Sequence, residues 1–166
     1  MTSINNRAKN LDAFLDMIGK SEGTFDSPAT VRDGYDVIVT GVDGKPEVFS
    51  DFSDHPFTNR KAKQVNKSGL YSSASGKYQI LVKFWPYYKR RLGLVDFSPQ
   101  SQDKVAVQLI RECGALGDVE EGHIEEAINK CSRIWASLPG NAYGQRTHKV
   151  TTLVAFYKEA GGIEEV

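Results

Sequence analysis

The sequence predicts an α+β protein, mostly helical, with one small antiparallel β-sheet near its N-terminus. Apolar residues recur at i, i+3 and i+4 in several stretches that glycine or proline separates. Valine, isoleucine and aromatic residues gather instead in one short region on either side of an Asp-Gly turn. The 166 residues, 40% hydrophobic and 25% charged, suffice for one globular domain with a sizeable core.

The first helix rests on Leu11, Phe14, Leu15 and Ile18, whose spacing marks a single buried face. Glu22 stands one turn beyond Ile18, with Gly23 after it, so the carboxylate points along that stripe at the helix end. Gly34-Tyr-Asp-Val-Ile-Val39 and Glu47-Val-Phe-Ser50 flank Asp43-Gly44 and read as a β-hairpin, the only clear β-region. Residues 51–71 are polar and irregular and are expected to form a long surface loop. Ser75-Gly-Lys-Tyr-Gln79 reads as a start signal leading into Tyr78, Leu81, Val82 and Trp85 at helical spacing. Pro86 removes an amide donor there, at a cost of about 3 kcal/mol in a regular helix, so a kink or a restart is expected near Trp85.

Ser98-Pro99 opens the next helix, since serine caps free amides and proline is tolerated at the first helical position. Its inner stripe is Ala106, Leu109, Ile110 and Cys113, and Gly114 suits its end. Ile124, Ala127, Ile128 and Cys131 mark a further helix, followed by Trp135 and the breaker Leu138-Pro-Gly140. Val150, Leu153, Val154 and Tyr157 carry the last one, which Gly161-Gly162 terminates. Both cysteines fall on apolar stripes and read as buried free thiols rather than a disulfide or a metal pair.

Charge narrows the partners. With 21 basic and 21 acidic residues the net charge is zero, so no nucleic-acid partner is expected. Lys89-Arg-Arg91 and Asn59-Arg-Lys-Ala-Lys63 read as solvated faces that could also meet an anionic polymer. The first ten residues lack the apolar core of a secretory signal, and no apolar run approaches a membrane span. The chain is therefore expected to start in the cytoplasm, without membrane insertion.

No metal site or cofactor is expected. His55, His123 and His148 are scattered, with no ligand spacing and no cysteine nearby. No serine or cysteine sits in a nucleophile elbow, and phosphate-binding glycine loops are absent. What remains is Glu22 with two later clusters, Ser75-Gly-Lys-Tyr-Gln79 and Leu138-Pro-Gly-Asn-Ala-Tyr-Gly144. A partly desolvated carboxyl at Glu22 would hold a proton near neutral pH, which is the state a general acid needs. Most helix-end glutamates are solvated, so these residues alone leave both readings open.

At this point the chain resembles the lambda-phage endolysin family, small lytic transglycosylases that cut bacterial peptidoglycan. The matching segments are Phe14-Leu-Asp-Met17, Ser21-Glu-Gly-Thr24, Gly34-Tyr-Asp-Val-Ile-Val39, Ser53-Asp-His-Pro56, Leu92-Gly-Leu94, Asp96-Phe-Ser-Pro99 and Ile134-Trp-Ala-Ser-Leu-Pro-Gly140. Departures concentrate in residues 25–33, 40–47 and 58–67. The resemblance implies a single lysozyme-like catalytic domain over residues 1–166, with two lobes around a glycan-binding cleft. It places the family's catalytic glutamate on Glu22. Looser similarity to the Gly-x-x-Gln and Ala-Tyr elements of bacterial lytic transglycosylases would bring Tyr78, Gln79 and Tyr143 toward the substrate. Tyr35, Asp36 and Ser75, within or beside these segments, join them as substrate-binding candidates. Trp135 is either core or a sugar platform.

The resemblance also frames the reaction. Phage lysozymes that hydrolyse place an aspartate nine and a threonine fifteen residues after the glutamate; here those positions are Val31 and Val37. Neither side chain activates water, so transglycosylation is expected, with Glu22 first as acid and then as base. A hydrolytic lysozyme using Asp36 as second carboxylate is the alternative within enzymes; Asp36 is a stronger candidate than Asp33 because it lies in the matching Gly-Tyr-Asp segment, although aspartate's ordinary role in turns or at a sheet edge is the favoured reading of both. A non-catalytic wall-binding module is the alternative outside them. The implied partners are peptidoglycan glycan strands and, indirectly, a holin. Accumulation in the host cytoplasm, action in the periplasm after membrane permeabilisation, and a monomeric enzyme complete the expectations.

Overall fold

The computed structural model describes residues 2–139 and 148–165. It holds α1 (Ile4–Ser21), β1 (Val37–Ile38), β2 (Glu47–Val48), β3 (Lys63–Gln64), β4 (Tyr71–Ser72), α2 (Trp85–Arg91), α3 (Pro99–Glu112), α4 (Leu116–Glu121), α5 (Ile124–Cys131) and α6 (Val150–Glu159). The architecture is the expected α+β class. The chain divides into two compact units, one made of Met1–Glu22 with Ala106–Val166, the other of Gly23–Val105.

The first unit is helical. α1 begins at Ser3, whose hydroxyl accepts from the Asn6 amide at 3.2 Å, and it packs against α4 and α6. Its buried face is broader than the stripe Leu11 to Ile18: Ala13, Phe14, Met17 and Ile18 are fully enclosed, whereas Leu11 lies at the margin. Asn10 is buried as well, yet both ends of its amide are satisfied. It donates to the Glu120 carbonyl at 3.1 Å and accepts from the Ile163 amide at 3.0 Å. All four apolar residues predicted for α5 are buried. In α6 the anchors are Leu153 and Tyr157, with Val150 and Val154 partly exposed. Of the stripe predicted for α3, Ala106 and Ile110 are enclosed, while Leu109 and Cys113 are only half-buried. The expectation of two buried thiols therefore holds for Cys131 and is corrected for Cys113, which follows the last residue of α3 where that helix runs out toward solvent. Helix α4 has no counterpart in the sequence reading; its six residues, with Gly117 among them, are too few for a readable period.

The second unit carries the β-structure. β1 and β2 pair antiparallel with Val37 opposite Val48, and Gly44 turns the hairpin at φ 70°. A second antiparallel pair, β3 with β4, lies within the segment expected to be loop. Its strands are two residues each and polar, so they lack the alternation that announces a strand; Gly69 at φ 87° and the Val65 amide on the Leu70 carbonyl at 2.8 Å close their turn. The helix expected from Ser75 onward is also corrected. Ser75 and Ile80 exchange two backbone hydrogen bonds, 2.9 and 3.1 Å, around a tight loop. Gly76 at φ 80° and Gln79 at φ 54° hold left-handed conformations that a helix excludes. The helix starts at Trp85 instead, with Pro86 in its first turn where its missing amide costs nothing. The core of this unit gathers Ile38, Phe57, Tyr78, Ile80, Trp85, Phe97 and Val105. His55 belongs to it. The ring centroid lies 4.8 Å from that of Phe97 at a tilt of 55°, Nε2 donates to the Ile80 carbonyl at 2.8 Å, and Nδ1 accepts from the Phe57 amide at 3.1 Å. Burial lowers its pKa, keeping this tautomer neutral.

Candidate active site

Glu22 caps the C-terminus of α1, its amide on the Ile18 carbonyl at 2.8 Å, with Gly23 at φ 75° directing the chain away. The residue keeps some exposure, but its carboxyl is shielded, and burial pushes the pKa up to about 7. A hydrogen bond from Ser137 works in the other direction, favouring the charged form. Ser137 is held in turn: its hydroxyl shares a hydrogen bond with Ser21 at 2.7 Å, and its carbonyl accepts from the His148 amide at 3.1 Å. The His148 ring reaches back to the Ser21 carbonyl at 3.1 Å through Nε2. The acid is therefore mounted on the end of α1 and braced by the segment after α5. A carboxyl with its pKa near neutrality can donate a proton and afterwards take one back.

The second unit brings Tyr35, Ser75, Tyr78 and Gln79 together around the tight loop. The hydroxyls of Tyr35 and Tyr78 both donate to Asp103 Oδ1, at 2.8 and 2.5 Å. Burial, with Asp103 adding to it, raises the Tyr78 pKa, so that phenol remains a donor. The Lys77 ammonium is buried against three rings, 5.1 Å from the centroid of Phe25, 4.8 Å from Tyr35 and 5.7 Å from Tyr78. Gln102, itself buried, ties the loop down. Its Oε1 accepts from the Lys77 amide at 3.0 Å, and its Nε2 donates to the carbonyls of Tyr35 and Phe97. The Thr24 hydroxyl donates to the Lys77 carbonyl at 2.6 Å, fixing the chain just after the acid to the same loop.

Direct sugar contact needs an accessible group, and four of the candidates are buried. Ser75 is fully buried and donates to the Ser73 carbonyl at 3.0 Å. Tyr78 is enclosed and engaged with Asp103. Both carboxylate oxygens of Asp36 are occupied, one by the Thr30 hydroxyl and the other by the Val31 amide at 3.1 Å, which makes it the organiser of a turn. Trp135 is 2% exposed, a core residue of the helical unit. Tyr35 and Gln79 keep partial exposure, and the Gln79 amide donates to the Gly76 carbonyl at 3.0 Å. Tyr143 lies outside the described residues. Ser137, His148, Asp103 and Lys77 were not singled out from sequence as site residues; Ser137 and Lys77 sat inside quoted segments, and nothing local in those segments signals their partners.

A profile of the family described as Endolysin matches residues 12–164. The chain belongs to the endolysin family. This endolysin is 57% identical over 159 residues to the endolysin of Escherichia phage P2, covering 95% of this chain and 96% of the relative. It is 51% identical over 163 residues to that of Escherichia phage lambda, covering 98% and 96%. Its fold superposes on bacteriophage lambda lysozyme complexed with a chitohexasaccharide at a TM-score of 0.85, with 50% identity over 99% of this chain and 100% of that one. A second lambda lysozyme structure gives 0.82 at 48% identity. The endolysin thus shares the lysozyme fold expected from its motifs.

Proposed function

We propose that this endolysin cleaves the MurNAc-GlcNAc β-1,4 bond of peptidoglycan by lytic transglycosylation, for host cell lysis. The observation that carries the reading is the state of Glu22. Its carboxyl is raised by burial to about 7 and lowered by Ser137, so one residue can act first as acid and then as base. A hydrolase would need a second carboxylate beside it. Asp36, the candidate for that role, spends both oxygens on its own turn. Val31 and Val37 offer no group for a water.

A single acid–base residue suffices when the nucleophile belongs to the substrate. Protonated Glu22 donates to the leaving glycosidic oxygen; as carboxylate it then takes the proton of the muramoyl C6 hydroxyl, which attacks C1 of the same sugar. The product is a 1,6-anhydro ring. An intramolecular attack gains from proximity, with effective molarities of about 10⁵ M or more in well-oriented cases. Tyr35 and Gln79 are the accessible candidates for holding the sugar, with Asp103, Tyr78, Lys77 and Ser75 as their supports. The chitohexasaccharide on the related lambda lysozyme supports a β-1,4 glycan as ligand.

Access to the wall completes the proposal. No helix among the described residues is long and apolar enough to cross a membrane. We place the enzyme in the host cytoplasm during accumulation and in the periplasm after a holin permeabilises the membrane, acting as a monomer.

Mass spectrometry of muropeptides released from purified sacculi tests the reaction. Products lighter than reducing muropeptides by one water are expected, and ordinary reducing ends would overturn the transglycosylase reading in favour of hydrolysis. Folded Glu22→Gln protein should release nothing while still binding sacculi. Retained cleavage would remove Glu22 from the chemistry.

A further inference from the structure

We propose that the outer face of α2 is a wall-docking surface, on which Phe84 and Tyr87 stack against the sugars of an intact glycan strand while Arg90 and Arg91 meet the carboxylates of its stem peptides. The inference rests on peptidoglycan as the substrate and adds to the Glu22 site a surface that takes no part in the chemistry. α2 turns Trp85 and Tyr88 into the core and leaves Phe84 and Tyr87 half exposed, at 50% and 49%. Single exposed apolar residues are ordinary. Two large rings one turn apart, rimmed by cations, mark a contact surface.

Helical spacing gathers these side chains. Phe84 precedes α2 with helical backbone angles, φ −92° and ψ −19°, so Phe84, Tyr87 and Arg91 stand at i, i+3 and i+7 along one stripe, with Lys83 and Arg90 on its flank. At about 1.5 Å per residue the stripe is roughly 10 Å long, the span of one disaccharide repeat of a β-1,4 glycan. The Lys83 ammonium sits over the Phe84 ring, 4.9 Å from its centroid. The Tyr87 ring meets that of the enclosed Tyr88 in a T-shaped contact at 5.0 Å and 80°, so its orientation is set before a ligand arrives.

Charge selects the occupant. From Lys83 to Val95 the chain carries four cations and no acid. Lys89 is engaged with Asp54 at 3.5 Å, and Asp96, just beyond that stretch, accepts from the Ser98 amide and the Ser101 hydroxyl. Lys83, Arg90 and Arg91 enter no ion pair among the described residues. A glycan strand bearing anionic stem peptides matches both halves of this surface, since the C–H faces of β-linked pyranoses pack on aromatic rings and carboxylates take guanidinium donors. An anionic membrane matches the cations alone: two exposed rings on and beside a helix of seven residues give too little apolar area to embed in a bilayer interface.

Sedimentation of folded Glu22→Gln protein with purified sacculi tests the surface, with phosphatidylglycerol vesicles as a parallel ligand. Because no bond is cut, the outcome is independent of whether the reaction is transglycosylation or hydrolysis. Adding Phe84→Ser and Tyr87→Ser at these exposed positions should weaken sacculus binding roughly fivefold to twentyfold, both at low salt and near 1 M salt where charge attraction is screened. Exchanging one ring for another, Phe84→Tyr with Tyr87→Phe, should keep the binding. Matching circular dichroism and melting temperatures establish that the variants are folded. Unchanged sacculus binding by the serine variant would overturn the proposal, and so would a loss confined to the vesicles, which assigns the face to a membrane. Sacculi that bind neither the Glu22→Gln protein nor its variants would overturn the peptidoglycan reading itself, and this surface with it.

Discussion

At the scale of the residue, Glu22 sets the pH behaviour. In the proposed mechanism its acid form opens the glycosidic bond, so cleavage should fall as pH rises through about 7. Ser137→Ala removes the hydrogen bond that lowers this pKa, so the falling limb should move to higher pH, read from initial rates on sacculi across a buffer series; an unmoved limb would free Ser137 from the acid. The same group affects stability. Between the unfolded value near 4.5 and the folded value of about 7 the native state holds the extra proton, so Glu22 makes stability decline as pH rises through that window and stay low above it. Glu22→Gln carries no charge to desolvate. It should therefore be more stable than wild type at pH 8 by on the order of 1–3 kcal/mol, one pKa unit being worth about 1.4 kcal/mol, with little difference at pH 4. Urea unfolding at both pH values checks this. The position of Glu22 at a helix end was legible from Leu11 to Gly23, because helical spacing is local. Its brace was not, since Ser137 and His148 meet it from the far end of the chain.

At the scale of the element, the loop from Ser75 to Gln79 departs most from its sequence. The apolar spacing of Tyr78, Leu81, Val82 and Trp85 imitates a helix, but Gly76 and Gln79 turn left-handed and Ser75 pairs with Ile80. The decisive partner is remote. A Cβ on Gly76 would lie 2.2 Å from Gln102 Oε1, the atom that accepts the Lys77 amide. Gly76→Ala should thus cost roughly 1–3 kcal/mol through the strained φ and the displaced glutamine. Urea denaturation should show a lower midpoint at unchanged slope; a wild-type midpoint would mean that the loop does not need the left-handed glycine. The helices α1, α5 and α6 were readable because each buries one face, and the Asp43-Gly44 hairpin because its turn residues are specific. The β3–β4 pair was hidden by its polar, two-residue strands.

At the scale of the whole molecule, a net charge of zero conceals an uneven distribution. The unit Gly23–Val105 carries 12 basic and 9 acidic residues, and the unit Met1–Glu22 with Ala106–Val166 carries 9 and 12. The positive unit includes Arg90 and Arg91, both exposed at the end of α2. Arg90→Glu with Arg91→Glu should slow cleavage of anionic sacculi roughly threefold to tenfold at low ionic strength, the deficit fading toward 1 M salt as the Debye length shrinks to about 3 Å. Turnover of sacculi at a series of salt concentrations reads this directly. A deficit that persisted at high salt would assign those arginines to packing rather than to attraction.

The sequence by itself determined the α+β class, most helices, the hairpin, the family and the glutamate at the end of α1, because these follow from local spacing, turn chemistry and contiguous motifs. Only the tertiary structure decided how those residues are employed. It shielded Glu22 and supplied Ser137, engaged Asp36 in a turn, and buried Ser75, Tyr78 and Trp135. Desolvation and hydrogen bonding are properties of a side chain's spatial neighbours, and those neighbours here come from distant parts of the chain.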